Sequence, residues 1–457
     1  MVETVETVDA AALPLAPKNP LPYRRQVSAL RAAHTGLEAL RDAGGPVTRL
    51  KLAPRWLSPA VVVATSPQGA RDILGRTGAE IDKTRSHDEF RYVLGPNLFD
   101  LRHEPWLPRR RALQPVFTKQ HVREFGGHMA QAAEMTAATW RNGSEVDLDV
   151  ECRKLTLRAL GRSVLGLDLA EHTGAIAEPL RVATKYATDR GLRPLRAPRW
   201  LPTSPRRRAR GASAALHAFA NEILQACRTD PDREAPLVRA LIAATDPQTG
   251  QTLPNDEVCD ELVLFMLAGH DTTSTTLTYA IWALGGHLDM QDKVRAEVAQ
   301  IGDRELTPDD VSRLGYTIQV LHEALRLCPP AAATARMAMR DIAVDGYLIE
   351  AGTMLVVGIC ALHRDPALWD RPLVFDPERF TPQNSKGRDR WQYLPFGAGP
   401  RSCIGDHFAM LEATLALATI VRSTEIRSID TDFPVVVPFT MIAAAPIRAR
   451  VSGRAHA

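Results

Sequence analysis

The stretch Phe396-Gly397-Ala398-Gly399-Pro400-Arg401-Ser402-Cys403-Ile404-Gly405 decides how this chain is read. It sets one thiol, Cys403, among three glycines and an arginine. Gly397, Gly399 and Gly405 allow φ angles closed to other residues and let backbone lie close to a flat ligand. A loop of this kind aims N–H groups at a sulfur, and such hydrogen bonds tune a metal-bound ligand. A free thiol has a pKa of roughly 8.5, and coordination to a metal removes the proton outright. Arg401 keeps its charge and is shaped to clamp a carboxylate. These are the surroundings that an iron-bound thiolate needs.

The run resembles the haem-binding loop of the cytochrome P-450 monooxygenases, F-x-x-G-x-R-x-C-x-G. Phe396, Gly399, Arg401, Cys403 and Gly405 fill its five fixed positions. Average residue usage makes a chance match in a chain of this length about one in ten thousand.

Further motifs follow the same resemblance. Ala268-Gly269-His270-Asp271-Thr272-Thr273 interrupts an apolar helical run at residues 262–267. Gly269 lowers helix propensity and lets another group press on the backbone. Thr272 is placed to bond back to the carbonyl of Ala268 and to distort the ladder. Asp271 beside Thr272 supplies an acid–alcohol pair for proton delivery. The segment is similar to A-G-x-[DE]-T-[TS] of the family's long central helix, and His270 at its variable position is expected to face away from the iron.

Glu323 and Arg326 lie three apart, on one helix face. A buried Arg cannot shed its proton and needs a carboxylate. Pro329-Pro330 ends that helix. With Arg379 of the downstream Pro377-Glu378-Arg379-Phe380, the pair resembles the family's structural triad, which supports the Cys loop. Trp106 and Arg110 share a face at a spacing of four and resemble the W-x-x-x-R of the helix covering the haem. Arg336 matches a third propionate-binding position, and bidentate Arg–carboxylate pairs suit a dianionic cofactor. Pro108 departs from the pattern; it is tolerated if it falls in the first helical turn, and it leaves the start of that helix open.

Bulk properties are those of a globular protein: 457 residues, 45% hydrophobic and 24% charged. A net charge of +3 is too small to argue for nucleic acid. Six cysteines lie far apart, with no C-x-x-C pair, so neither a disulfide framework nor a zinc site is indicated and a reducing cytoplasm is expected. No run of about 18 apolar residues marks a transmembrane anchor, which the family's microsomal members carry. Residues 46–65 read as a hairpin, 120–330 as largely helical, 340–360 as β-like, and 407–422 as a helix. Residues 1–22 are expected to form a flexible arm ahead of a single haem domain, 23–457. The segment 189–211 is rich in Pro and Arg; it reads as a solvated loop between helices, or as a docking surface for an acidic partner.

The resemblance runs from about residue 46 to the C-terminus. It implies a mainly α fold with a small β lobe, and haem b between the central helix and the Cys403 loop. Cys403 is the implied iron ligand. Arg401, Phe396, Gly397, Gly405, Trp106, Arg110, Arg336, Ala268 and Gly269 contact the haem. The implied reaction inserts one oxygen atom of dioxygen into a substrate. Electrons come from NAD(P)H through separate proteins, a ferredoxin and its reductase, because no flavin or nicotinamide module is seen. A peroxide-driven peroxygenase and a non-catalytic haem sensor are alternatives, and Asp271-Thr272 counts against both. The substrate reads as a mainly apolar small molecule. Its walls are expected from residues 84–100, 180–205, 331–335 and 439–441, with Leu264, Thr334, Ala335, Thr440 and Met441 in contact.

Overall fold

Ten consecutive residues, 258–267, are buried on every side. A helix buried all round belongs at the centre of a large core, and the chain wraps its other helices about this one. In the computed structural model, which describes residues 10–453 other than 51, 53, 55–57, 167–168, 170–172, 192, 194–195 and 231, the central helix spans Asn255–Gly286. The helices that shape the site are, in chain order, α1 (His87–Leu94), α2 (His103–Leu113), α3 (Leu148–Leu160), α4 (Thr173–Gly191), α5 (Ser204–Thr229), α6 (Asn255–Gly286), α7 (Gly315–Leu327) and α8 (Asp406–Ser423). Helix α3 packs along α6, and α4 along α5.

The β lobe draws on two distant parts of the chain. Strands β1 (Val47–Leu50) and β2 (Val61–Ala64) form the expected antiparallel hairpin. β3 (Ile81–Asp82), β4 (Thr334–Ala338) and β5 (Met354–Val357) complete a five-stranded sheet in the order β1-β2-β5-β4-β3. β2 and β5 run parallel, in register from Val61 opposite Met354. The sheet thus fixes the loop after α7 against the N-terminal third of the chain. Among the described residues no helix is long and apolar enough to cross a membrane.

One expectation needs correction, and the place of Pro108 is settled. Residues 10–22 are not a loose arm: Ala16 is buried, Leu15 bridges Leu348 and Lys18 bridges Arg49. Asn19 anchors the segment by donating to the Leu40 carbonyl at 2.8 Å. Backbone groups that find partners this way give a short segment a fixed place without a core of its own. Residues 1–9 lie outside the described residues. Pro108 sits at the sixth position of α2, beyond the first turn. The helix tolerates it near its short middle, and Trp106 and Arg110 still fall on one side.

Candidate active site

Between α6 and the Cys403 loop lies a cavity of about 370 Å³, within the range of small-molecule sites. Its walls include Cys403, Phe396 and Gly397 from the loop and Leu264, Ala268, Gly269, Thr272, Thr273 and Thr276 from α6. Trp106, Arg110, Arg336 and Arg401 also line it.

The loop is held by its own backbone. The Cys403 N–H donates to the Phe396 carbonyl at 2.8 Å, and the Gly397 N–H to Leu394 at 3.1 Å. Gly399 adopts φ +72°, and a Cβ there would stand 1.9 Å from the Leu74 carbonyl oxygen, so no other residue fits. Gly405 differs from expectation: its φ is −100°, open to any residue. Its glycine matters through space, since a Cβ at Gly405 or Gly397 meets nothing within 4 Å and both residues line the cavity. Cys403 is the one exposed cysteine; the other five are buried. That exposure is to the cavity, deep below the outer surface. Burial pushes its pKa up, while a hydrogen bond from the Gly405 N–H and the nearby Arg110 pull it back.

On α6 the Thr272 hydroxyl donates to the Ala268 carbonyl at 2.6 Å, as its spacing predicts. The helix is uninterrupted there, so the expected distortion stops short of a break. Gly269 admits α3: a Cβ would meet Leu160 at 2.9 Å. His270 is buried and lies against Thr156 of α3, away from the cavity. Asp271 does not join Thr272. Neighbours on a helix point about 100° apart, and the Asp271 carboxylate pairs with Arg153 of α3 at 2.6 Å. It is not part of the cavity wall.

The structural pair is fully buried. Arg326 donates twice to Glu323, both at 2.7 Å, and to the carbonyls of His363 and Pro372. Glu323 also accepts from Arg379 at 3.3 Å and from the Asp376 N–H at 2.9 Å. Burial pushes Glu323 up in pKa, and its arginines oppose that shift. Sequence reasoning missed what connects this cluster to the thiol. His363 accepts from the Leu394 N–H at 2.7 Å, immediately before the Cys403 loop. Burial holds its pKa down to about 3, so the imidazole remains a neutral acceptor.

Of the substrate contacts expected, Leu264, Thr334 and Thr440 line the cavity, and Ala335 and Met441 do not. Alternation along β4 sends Thr334 and Arg336 one way and Ala335 the other, where it packs against the apolar cluster that includes Leu37 and Leu40. The Met441 N–H is tied to the Pro330 carbonyl, and its side chain packs against Cys328 and Cys360. Aromatic walls come from Phe99, Phe117, Phe265 and Phe439.

The charged residues in the wall decide what the site suits. Lys83, Arg110, Arg336 and Arg401 line the cavity, and no carboxylate does among the described residues. Lys83 went unnoticed in the sequence; it lies 4.6 Å over the Phe99 ring. Burial, with Arg336 and Arg401 beside it, drives its pKa well down. Burial also brings Arg336 and Arg401 to about 10. Arg401 pairs with Asp82 at 3.3 Å and stacks 4.1 Å over Trp106. Desolvated cations of one sign are costly unless an anion joins them. A flat dianion with a metal at its centre meets both needs: cations for its carboxylates and a thiol for its metal. Haem b fits these residues. Lys83→Met should therefore speed haem loss several-fold, roughly half or more of the 1.4 kcal/mol that corresponds to tenfold. Transfer of haem to apomyoglobin measures it, and an unchanged rate would remove Lys83 from the cofactor's hold.

Comparison with known proteins agrees with this geometry. The family model described as Cytochrome P-450 matches residues 17–450. Cyclooctat-9-en-7-ol 5-monooxygenase of Streptomyces melanosporofaciens is 31% identical over 85% of this chain and 84% of its own length. Pentalenene oxygenase of Streptomyces avermitilis is 27% identical over 90% and 91%. The crystal structure of a cytochrome P-450DA mutant heme domain superposes with a TM-score of 0.84 at 27% identity, covering 97% of this chain and 98% of that one. A thiol facing a cation-lined cavity, within a fold and sequence shared over most of the chain with these proteins, makes the chain a member of the cytochrome P-450 family and a cytochrome P-450 monooxygenase.

Proposed function

We propose that this enzyme inserts one oxygen atom into a C–H bond or double bond of a compact, apolar, terpenoid-like molecule. Cys403 ligates the iron, and a ferredoxin and its reductase bring electrons from NAD(P)H in the cytoplasm. One observation supports the reading above others: the cavity-facing thiol and the Thr272 hydroxyl belong to the walls of one cavity, whose cations accompany a largely apolar lining. When bound, the haem supplies dioxygen activation, with thiolate electron density favouring O–O cleavage.

The chain's own residues do the rest. Arg110, Arg336, Arg401 and Lys83 would hold the two carboxylates. Phe99, Phe117, Phe265 and Phe439 exclude water and orient an apolar substrate by contact, at roughly 25 cal/mol per Å² buried. Thr272 holds its one proton in the bond to the Ala268 carbonyl, and it passes that proton toward the reacting oxygen by turning the hydroxyl out of this bond. Asp271 can resupply that proton only after leaving Arg153 and taking up a proton from solvent. The second oxygen atom leaves as water, after two electrons and two protons.

The relatives named for cyclooctat-9-en-7-ol and pentalenene support the terpenoid class. An ultra-long-chain fatty acid omega-hydroxylase of Homo sapiens, 28% identical over 80% of this chain, keeps a long acyl chain as the second reading. The test is spectral titration of the ferric protein with terpenoids, steroids, fatty acids and polar metabolites. A Soret shift with terpenoids is expected; response to multiply charged compounds alone would overturn the reading. Thr272→Ala should bind haem and substrate and consume reductant, yet form roughly tenfold less product per electron, a smaller loss than the 10²–10⁴ of a proton-transfer group removed outright. The ratio of product to NAD(P)H consumed measures it. Full coupling in the variant would remove Thr272 from proton delivery.

A further inference from the structure

Leu98 and Phe99 line the cavity from a segment, residues 95–102, that is neither helix nor strand. Such a segment has no ladder to hold it, so its place depends on where its polar groups find partners. Both ends are fixed. Gly95 adopts φ +76°, and a Cβ there would stand 1.9 Å from Oδ1 of Asp260 on α6. That carboxylate is itself held by His217 of α5 at 3.0 Å. At the other end the Leu101 carbonyl accepts from Arg401 of the Cys403 loop at 2.7 Å. A turn closes between them: the Asp100 and Leu101 N–H groups donate to the Asn97 carbonyl, and the Phe99 N–H to the Asn97 side chain.

The Leu98 N–H takes no part in this turn. It donates to Oε1 of Glu261 on α6 at 2.9 Å, across 163 residues. Glu261 is fully buried and does not itself line the cavity. Its Oε1 also accepts from Arg109 of α2 at 3.1 Å. Arg109 is buried too, and it holds Glu257 and the Pro96 carbonyl as well. Oε2 of Glu261 has no hydrogen-bond partner among the described residues. Burial pushes Glu261 up to about 8, against the pull of Arg109 and the Leu98 N–H. Near neutrality the group is therefore mostly the uncharged acid, with its proton on Oε2, and what it gives the segment is one acceptor at a fixed depth.

We propose that Glu261 is a positioning residue: by accepting from the Leu98 N–H it sets how far Leu98 and Phe99 stand into the cavity, and so which apolar shapes fit there. The proposal rests on the reading of that cavity as the haem and substrate site. Phe99 packs edge-on against Phe439 at 5.4 Å between ring centres, and both rings line the cavity, so a shift of one disturbs the other. Without the tether the buried Leu98 N–H is left unpaired, which is costly. The segment then shifts until water or another acceptor serves that N–H, while its ends stay pinned.

Two variants separate acceptance from charge. Glu261→Gln keeps an acceptor for Leu98 and Arg109. Glu261→Leu keeps the bulk and loses the acceptor, and Arg109 retains Glu257. The test uses ferric holoprotein near neutrality. Soret titrations with imidazole and 4-phenylimidazole compare a ligand too small to need the wall with one whose phenyl ring must pack on it. Hydrogen exchange of the peptide spanning 95–101, read by mass spectrometry, reports the tether itself. In Glu261→Leu, 4-phenylimidazole should bind about tenfold more weakly, the effect of about 1.4 kcal/mol, which roughly 55 Å² of lost apolar contact supplies. Imidazole should bind as in the native protein, and the peptide should exchange faster by about one amide. Glu261→Gln should match the native protein in all three measurements. Unchanged exchange in Glu261→Leu overturns the proposal, since no bond was lost, and so does faster exchange with native affinity for 4-phenylimidazole. Equal weakening of both ligands means general loosening and overturns it too, as does a Glu261→Gln that behaves like Glu261→Leu. If Glu261→Leu loads no haem, Glu261→Asp serves, its acceptor one methylene short of Leu98: a partial loss for 4-phenylimidazole alone supports the proposal, and native affinity overturns it. A native protein whose Soret band answers neither ligand defeats the reading of the cavity itself; one that answers both without a Glu261 effect defeats only the positioning role.

Discussion

Cys403→Ala will lose the red-shifted Soret band of the reduced, carbon-monoxide-bound protein, and all monooxygenase activity with it. The effect should be complete because no other thiol can substitute. Cys152, Cys227, Cys259, Cys328 and Cys360 are buried, and none of them lines the cavity. Burial pushes Cys152 and Cys360 up to about 12 and Cys328 higher still, so each stays a protonated, inert thiol. The cations Arg110, Arg336 and Arg401 remain in the variant, so some haem should stay bound by its carboxylates. A difference spectrum of reduced protein with and without carbon monoxide decides the matter. Persistence of the thiolate band in Cys403→Ala would show that another residue is the ligand.

Glu323→Ala and Arg326→Ala should each leave little or no folded, haem-loaded protein. Both side chains are fully buried and their contact is bidentate. Removing one partner strands the other's charge in the core, at about 3–5 kcal/mol. Native proteins hold only about 5–15 kcal/mol in total, and here the loss spreads. Arg326 also holds the carbonyls of His363 and Pro372, and His363 holds the Leu394 N–H that leads into the Cys403 loop. Haem content per mole of soluble protein, with urea midpoints for whatever accumulates, measures the outcome. Glu323→Gln, which keeps hydrogen-bond acceptance without charge, should fall between. Native yield and midpoint for both alanine variants would mean that the pair does not carry the loop.

The reach of sequence reading differs from residue to residue, and the reason is distance along the chain. Where the chemistry is local, the pattern is legible. The Cys403 loop, the Thr272 back-bond to Ala268 and the Glu323–Arg326 pair each close within ten residues, through glycine torsions or one helical turn. The helices and the first hairpin were readable for the same reason: period and turn chemistry are properties of short windows. Even the misreadings at Ala335 and Gly405 are failures to choose a face or a torsion inside an element correctly located.

What lay beyond reach depends on partners far away in sequence. Asp271 reads as Thr272's companion until α3 brings Arg153 to it across 118 residues. Lys83 looks like any surface lysine until the packing of β3 against β4 buries it beside Arg336. His363 gains its meaning from Leu394. Glu89 and the arginines about 100 residues later look like separate surface charges, since a charge in sequence carries no sign of which opposite charge will face it. Short local motifs, through the family they resemble, therefore pointed to the fold, the cofactor and the candidate ligand thiol; which charges are buried and what neutralises them came from long-range packing, where Coulomb energy and desolvation act between groups that only the folded chain brings together.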